Sequence, residues 1–420
     1  MNVSTESDAP SSLQLKSIYE ASSPIEQRLL LPPPTRQLTF DGLSVPVYEK
    51  ELWTSKQRQA ASIHEISYRA CFKPQLPAYF IDRLTREGDL VYDPFSGRGT
   101  TAIETALRGR NAIANDINPL SALLALPRLE IPDLDLVENR LKSLRYQSLA
   151  KSELDLKMFF HRNTLKEILG LRSYLRRRRE NGNEDAVDRW IRMVATNRLT
   201  GHSPGFFSVY TLPPNQAALP KHQERINLKL KQQPTYRDTR ALIIKKTLAL
   251  HRRISIDDRT RLRAAAVNAL FFSCNADRTP DIQSGSVQLT VTSPPFLDVV
   301  EYAQDNWLRC WFNSLSADEI SKNITMSRTI QEWSAVMKTV FKELYRITRS
   351  RGWVAFEVGE VRQGKIKLEE TVLPLGTRAG FVPIAVLINS QRFTKTSNIW
   401  GVRNNSLGTN SNRIVLFQKP

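Results

Sequence analysis

Leu90-Val91-Tyr92-Asp93-Pro94-Phe95-Ser96-Gly97-Arg98-Gly99-Thr100 is the stretch that decides the fold of this 420-residue chain. Three residues suited to a buried strand run into a carboxylate, and a turn with two glycines follows at once. Thr100 to Leu107 then predicts a helix with Ala102, Ile103, Ala106 and Leu107 on one face and Gly109 as its stop. Asn111 to Ala114 predicts a second strand running to Asp116, and Asn118-Pro119 opens another helix through Ser121 to Ala125. A β-α-β-α series of this kind builds a doubly wound α/β fold, a mostly parallel sheet covered by helices.

Working outward, the series breaks near Pro127 and resumes at Ala264 to Phe272, read as the third strand, followed by Asn275-Ala276-Asp277. Val287 to Val291, Gly352 to Val358, Phe381 to Ile388 and Arg413 to Phe417 predict further strands. Glu332 to Ile347 predicts an amphipathic helix whose Trp333, Val336, Val340 and Leu344 recur at helical spacing and pack on the sheet. Residues 48–127 and 264–420 thus form one α/β domain. The interval 128–263 is a basic, mainly helical insertion, and no internal repeat is visible. Residues 1–47, with Leu31-Pro32-Pro33-Pro34, are expected to be a poorly ordered tail.

The formal net charge is +18. From His161 to Ala265 there are 23 Lys and Arg against 9 Asp and Glu, a local excess of +14. A basic surface concentrated in one quarter of a chain suits a polyanion, most commonly nucleic acid; a solvated helical face is the alternative. Cys71, Cys274 and Cys310 include no C-x-x-C pair, which argues against a disulfide framework or a cysteine zinc site. His64-Glu65 lacks a second His at helical spacing, so no metal is expected. No apolar run reaches the roughly 18 residues of a membrane helix. The N-terminus has neither a basic start nor an apolar stretch, and a cytoplasmic location is expected.

In an open α/β sheet, ligands bind beyond the carboxyl ends of the strands. Gly97 and Gly99 let the backbone turn sharply there, in a form suited to an adenosyl cofactor. Asp93 can accept from an amino group, Asp116 from both hydroxyls of a ribose, and Asp277 from an adenine amine. Gly97-x-Gly99-x-x-Ala102, with Asp116 beyond it, also fits a dinucleotide turn. Against that stand the acid and ring of Asp93-Pro94-Phe95, which suit a sulfonium amino acid better than a pyrophosphate.

The second informative string is Thr292-Ser293-Pro294-Pro295-Phe296. An exocyclic amine on a nucleobase is a poor nucleophile, because its lone pair is delocalised into the ring. A site must draw the amine hydrogens into strong acceptors. Ser293 offers an oxygen, and the Pro294 carbonyl offers another whose direction the two prolines restrict. Phe296 offers a face for stacking. Catalysis by such a corner is mainly positioning. A loop that merely ends a strand is the alternative.

Together, Asp93-Pro-Phe-Ser-Gly-Arg-Gly-Thr100 and Thr292-Ser-Pro-Pro-Phe296 resemble the DNA amino-methyltransferases that use S-adenosylmethionine, and the Ser-Pro-Pro form resembles their cytosine-N4 branch. Phe72-Lys73-Pro74 is similar to the family segment that closes over the methionine end of the cofactor. The resemblance covers about 48–127 and 264–420. It implies a seven-stranded Rossmann-like methyltransferase sheet. It also implies a cofactor set of Lys73, Asp93, Phe95, Gly97, Gly99, Thr100, Asp116 and Asp277. Ser293, Pro294, Pro295 and Phe296 would hold the target base. Position 296 is Phe where Tyr is commoner in the family.

The implied reaction is direct methyl transfer to cytosine N4 in a specific duplex DNA sequence, with the base flipped out and no covalent enzyme intermediate. Cytosine-C5 chemistry needs a cysteine nucleophile, usually in a Pro-Cys pair, and no Pro-Cys occurs. Adenine N6, an amine in structured RNA, and a DNA-binding protein without turnover remain as alternatives. Double-stranded DNA is the implied partner, a cognate restriction endonuclease is left open, and the expected setting is the nucleoid. In the insertion, Arg176, Arg177, Arg252 and Arg253 are candidates for phosphate contacts. His202, Tyr210 and Asn215, in a loop of aromatics, amides and turn residues, are candidates for base edges or wedging.

Overall fold

Apolar side chains alternate between two faces along the central strands, and helices cover both faces. The computed structural model describes residues 25–53, 60–68, 71–145, 152–211, 217–295, 305–324, 327, 329–358, 360–361, 366–390 and 411–420. Its main sheet contains β1 (Arg36–Phe40), β2 (Leu43–Lys50), β3 (Leu90–Asp93), β4 (Asn111–Asn115), β5 (Leu270–Phe272), β6 (Val287–Thr292), β7 (Thr348–Val358), β8 (Val382–Ser390) and β9 (Ser411–Gln418). The spatial order is β1-β2-β8-β9-β7-β6-β3-β4-β5. The five strands from β5 to β7 in that order are parallel, and β9 is antiparallel to both its neighbours.

The chain lays down β3, β4 and β5 outward in one direction, then returns to add β6 on the other side of β3. This reversal is a topological switch point, where a crevice opens beyond the strand ends. Val91 lies opposite Leu289 and Tyr92 opposite Thr290. The register therefore brings the ends of β3 and β6, Asp93 and Thr292, side by side. Sequence separation of nearly two hundred residues is closed by one strand pairing.

The sheet has nine strands where seven were expected. The extra pair, β1 and β2, lies largely within the segment expected to be a poorly ordered tail. There β2 extends the sheet in parallel with β8, Val47 opposite Val386, and Val45, Val47 and Tyr48 are fully buried. A short helix, α1 (Ile25–Leu29), precedes it and packs on α2 (Gln75–Leu84). Residues 1–24 lie outside the described ones. The expected third strand over 264–272 is also corrected. A helix, begun by a capping box between Ser255 and Asp258, continues to Ala266, and only Leu270–Phe272 is strand.

On one face, Val91, Leu289, Val291 and Ala355 pack with α2. The helices α3 (Thr100–Leu107) and α4 (Leu120–Ala125) follow β3 and β4. Before β5 the chain supplies α5 (Leu134–Ser143), α6 (Arg162–Glu180), α7 (Ala186–Arg198), α8 (Pro220–Leu230), α9 (Thr239–His251) and α10 (Ile256–Ala266). Their core centres on Trp190, Ile191, Met193 and Val194 of α7 and is continuous with Ile103, Ala106 and Leu107 of α3. Beyond β6 come α11 (Trp307–Phe312), α12 (Ala317–Asn323), α13 (Ile330–Ile347) and α14 (Leu368–Arg378). On the other face, Tyr92, Val354 and Phe356 pack with Trp333, Met337, Val340, Phe341 and Leu344 of α13. Among the described residues no helix is long and apolar enough to cross a membrane.

Candidate active site

A cavity of about 630 Å³ opens at the switch point. Phe95, Gly97, Thr100, Asp116 and Asp277 line it on the β3–β5 side, and Ser293 and Pro295 line it on the β6 side. Lys73, Asp93, Gly99 and Pro294 are not among the lining residues. Residues of the two motifs thus share one cleft.

Asp93 ends β3 and is buried. Its Oδ1 accepts from the Phe95 N–H at 3.1 Å and from the Thr292 hydroxyl at 2.7 Å. Oδ2 is buried as well, and the Thr101 hydroxyl adds to the hydrogen bonding of the carboxylate. Burial, opposed chiefly by the Thr292 hydroxyl, pushes the carboxyl up to about 6. Asp116 is raised to about 6 by burial as well. Its two oxygens accept from the Gly97 N–H at 2.8 Å and the Asn118 N–H at 2.9 Å. One carboxylate therefore holds the glycine turn against the end of β4 while facing the cavity.

The two glycines have different reasons. Both sit at positive φ, +53° for Gly97 and +77° for Gly99. At Gly99 a Cβ would lie 2.4 Å from the Ala125 Cβ, so close packing of the turn on α4 requires glycine there. Arg98, between them, is buried and donates to the Ile66 carbonyl at 2.7 Å and the His64 carbonyl at 3.3 Å. Arg128, fully buried, donates to the carbonyls of Arg98, Leu124 and Ile63. Its guanidinium is lowered to about 9 by burial and the neighbouring Arg98 charge. The segment thus anchored, 62–68, carries Tyr68 into the cavity wall beside Cys71 and Phe72. Lys73 follows, its ammonium held below the ordinary range by burial and Arg98.

On the opposite wall, the Ser293 hydroxyl donates to the carboxylate of Glu357, which is buried near the end of β7. Burial raises the Glu357 carboxyl, and the Asn412 side chain on β9 donates to its Oε1 at 2.5 Å. With its O–H directed at Glu357, the serine oxygen presents its lone pairs elsewhere. The Pro295 carbonyl accepts from the Trp333 indole N–H at 2.9 Å. Pro294 is buried, and Phe296 lies outside the described residues. Glu357 and Tyr68 were not singled out by the sequence, and Thr292, though part of the second string, was given no role there. Trp333 was read as packing alone.

In the insertion, Arg176 and Arg177 are exposed near the end of α6, Arg176 with an ion pair to Glu180 at 3.7 Å. Their neighbour Arg178 is instead committed to the buried Asp188 at 2.7 Å. Arg252 and Arg253 share Glu65, at 3.2 and 3.1 Å. His202 packs by its ring on Phe206, which is buried under the Arg198 guanidinium. That part of the loop is core. Tyr210 is exposed, and Asn215 lies outside the described residues. None of these side chains lines the cavity.

Part of the chain is similar to known proteins. Residues 38–124 match the sequence model of the family described as DNA methylase. Type II methyltransferase M.MjaII of Methanocaldococcus jannaschii is 35% identical over 116 residues, 28% of this chain and 19% of the relative. Type II methyltransferase M.BsoBI of Geobacillus stearothermophilus is 31% identical over 93 residues, 22% of this chain and 18% of the relative. The chain thus matches about a fifth of either relative's length. Among solved structures, the rRNA methyltransferase aviRa from Streptomyces viridochromogenes aligns with a TM-score of 0.35 at 12% identity, over 87% of this chain and 93% of that one. Such a likeness has no bearing on activity. Over residues 38–124, these similarities support a likeness to the DNA amino-methyltransferase family.

Proposed function

We propose that this chain transfers a methyl group from S-adenosylmethionine to the N4 amine of a cytosine turned out of duplex DNA. The observation that carries the reading is the shared cleft: Ser293 and Pro295 line the same cavity as Gly97 and Asp116. Its volume of about 630 Å³ lies within the range of roughly 300–1,000 Å³ usual for ligand sites. The carboxylate of Asp116, which lines the cleft, with that of Asp93 buried close by, suits a cationic amino acid. Asp116 and Asp277 are the residues that would hold the nucleoside end. The fit to the cofactor is therefore chemical as well as steric. When bound, S-adenosylmethionine supplies a methyl group on a positively charged sulfur.

The chain's own residues prepare the amine. Ser293, its proton engaged by Glu357, accepts one amine hydrogen, and the Pro294 carbonyl accepts the other. With both hydrogens held, the nitrogen lone pair turns out of conjugation and points across the cleft. The amine nitrogen would form its bond to the methyl as the methyl–sulfur bond breaks, leaving the neutral thioether S-adenosylhomocysteine, and the surplus N–H proton would pass to solvent. No side chain forms a covalent bond. This is catalysis by orientation, with the base's approach fixed by the corner. The exposed guanidinium groups of Arg176 and Arg177 suit phosphates of a long duplex, which set affinity and not sequence choice.

The test is incubation of the protein with labelled S-adenosylmethionine and duplex DNA, followed by digestion to nucleosides and mass analysis. N4-methylcytosine is expected. N6-methyladenine would move the target to the other amino base, and label in RNA alone would move it off DNA. Ser293→Ala should reduce transfer at least a hundredfold and leave the affinity for S-adenosylmethionine unchanged. Unchanged turnover in that variant would remove the serine from the mechanism.

A further inference from the structure

We infer that Trp333 is a positioning residue for the target amine, holding the serine–diproline corner in its working orientation through the Pro295 carbonyl. This rests on the reading of that corner as the amine-binding element. Trp333 is 2% exposed, and its indole N–H donates to the Pro295 carbonyl at 2.9 Å. A buried indole N–H must find an acceptor. Here the acceptor is an atom of the loop that faces the cavity, 38 residues away in sequence. An indole serving only as core volume would bond anywhere convenient; this one bonds to the corner.

The bond constrains the right torsions. Each proline ring fixes its own φ, which leaves ψ of Pro294 and ψ of Pro295 to set where the two carbonyls point. Donation from Trp333 anchors the peptide plane that follows Pro295, and so fixes ψ there. With φ of Pro295 already locked, the plane carrying the Pro294 carbonyl loses most of its remaining freedom. The Pro294 carbonyl is the proposed second acceptor for the amine.

The donor is itself held firmly. Thr329 and Glu332 form a reciprocal capping box at the start of α13, at 3.1 and 3.2 Å. The Trp333 N–H donates to the Thr329 carbonyl at 3.1 Å, placing the indole on the first turn of a capped helix. Met337 and Val340, one turn and two turns on, line the cavity with Trp333 and are buried in the core beneath it. The corner is thereby held at two points. Glu357 takes the Ser293 hydroxyl on one side, and α13 takes the Pro295 carbonyl on the other.

The experiment compares the parent enzyme with Trp333→Phe, which keeps an aromatic ring and removes the donor, using steady-state transfer to duplex DNA. Loss of one orienting hydrogen bond predicts a fall in kcat of about tenfold, with KM for DNA and Kd for S-adenosylmethionine within about twofold of the parent. Unchanged kcat overturns the inference. So does a loss in which kcat, cofactor affinity and thermal stability fall together, because packing alone would then account for it. If Trp333→Phe does not fold, the sulfur isostere of tryptophan (benzothienylalanine) at position 333 removes the N–H at constant shape, and the same split decides. A parent protein that methylates no DNA overturns the amine-corner reading itself and this inference with it; an active parent with an equally active variant overturns the role of Trp333 alone.

Discussion

The Thr292 hydroxyl donates to Asp93 Oδ1 at 2.7 Å, linking the residue just before the serine–diproline corner to the residue that opens the glycine turn. The bond exists because β6 pairs with β3 in parallel, so both strands end at the same level. It ties the floor of the proposed cofactor site to the root of the proposed amine site. A shift of one strand end is thereby felt by the other.

With Asp93 and Asp116 at the cofactor site as proposed, cofactor affinity should depend on pH. Both carboxyls are pushed from an ordinary 3.8 up to about 6 by burial. A raised carboxyl favours the protonated folded state. In the free protein, the contribution of these groups to stability is complete below about pH 4 and is lost as pH rises through about 6. A cationic ligand needs the ionised form, so its binding runs the other way. The Kd for S-adenosylmethionine should rise as pH falls from 7.5 to 5, by at most about tenfold per unit for each group. Asp93→Asn should weaken binding at pH 7.5 and flatten the profile. Thr292→Val, which removes a donor to the carboxylate, should move the midpoint upward. Calorimetric titration across this range checks all three; a flat profile in the parent would separate the two aspartates from the cofactor.

Gly99→Ala and Gly97→Ala should differ in stability. Each places a side chain at positive φ, which costs about 1–2 kcal/mol. At Gly97 the nearest atom to a new Cβ is the Cys71 Sγ at 3.4 Å, which is tolerable. At Gly99 the Ala125 Cβ is 2.4 Å away, so α4 must move as well. Gly99→Ala is expected to lower Tm by several degrees more than Gly97→Ala, by thermal denaturation without ligand. Equal losses would show that the turn does not pack as tightly on α4 as this contact implies.

The strands that carry the site were legible because each is a short apolar run ending in residues of unusual chemistry. Leu90 to Tyr92 and Val287 to Val291 were readable without tertiary information, and the structure extends each by one residue. The hairpin of β1 and β2 was not legible, because Pro46 argues against a strand that pairs on both edges. It is accommodated because pairing with β8 begins at Val47, leaving Pro46 outside that ladder. The supports of the corner were hidden for a different reason. Glu357, Asn412 and Trp333 reach Ser293 and Pro295 only through the strand order and the placing of α13, and no spacing in the sequence encodes those contacts. Trp333 fitted the helical apolar stripe so well that its polar edge went unread.

Glu357→Ala should reduce turnover and stability together, and Glu357→Gln should separate them. Alanine leaves the Ser293 hydroxyl and the Asn412 amide without their acceptor, at roughly 1–3 kcal/mol for each buried donor. It also frees the serine hydroxyl to rotate and to offer a proton where an acceptor is needed. Glutamine fills the same space and retains one acceptor oxygen, but its NH2 faces one of the two donors. We expect at least a tenfold loss of kcat for alanine with a clear fall in Tm, and a smaller fall in Tm for glutamine. Cofactor affinity should hold in both. Full activity in the alanine variant would show that the serine needs no partner to act as an acceptor.

The arginine run near the end of α6 should divide by function. Arg178 donates to Asp188 at 2.7 Å, and Asp188 is fully buried with Arg140 and Tyr174 as its other partners. Arg178→Gln leaves a buried carboxylate less well satisfied, so it should lower stability and reduce DNA affinity only through that loss. Arg176 and Arg177 are exposed, and near a helix C-terminus their charges are already favourably placed. Replacing both with Gln should change Tm by no more than about a degree. If they contact phosphates, the double variant should bind specific and unrelated duplexes more weakly by a similar factor, and the slope of log affinity against log salt should fall by about 2. Filter binding or anisotropy at several salt concentrations reads both quantities. A slope unchanged from the parent would mean that DNA approaches another face of the insertion, with Arg252 and Arg253 beside Glu65 the next pair to replace.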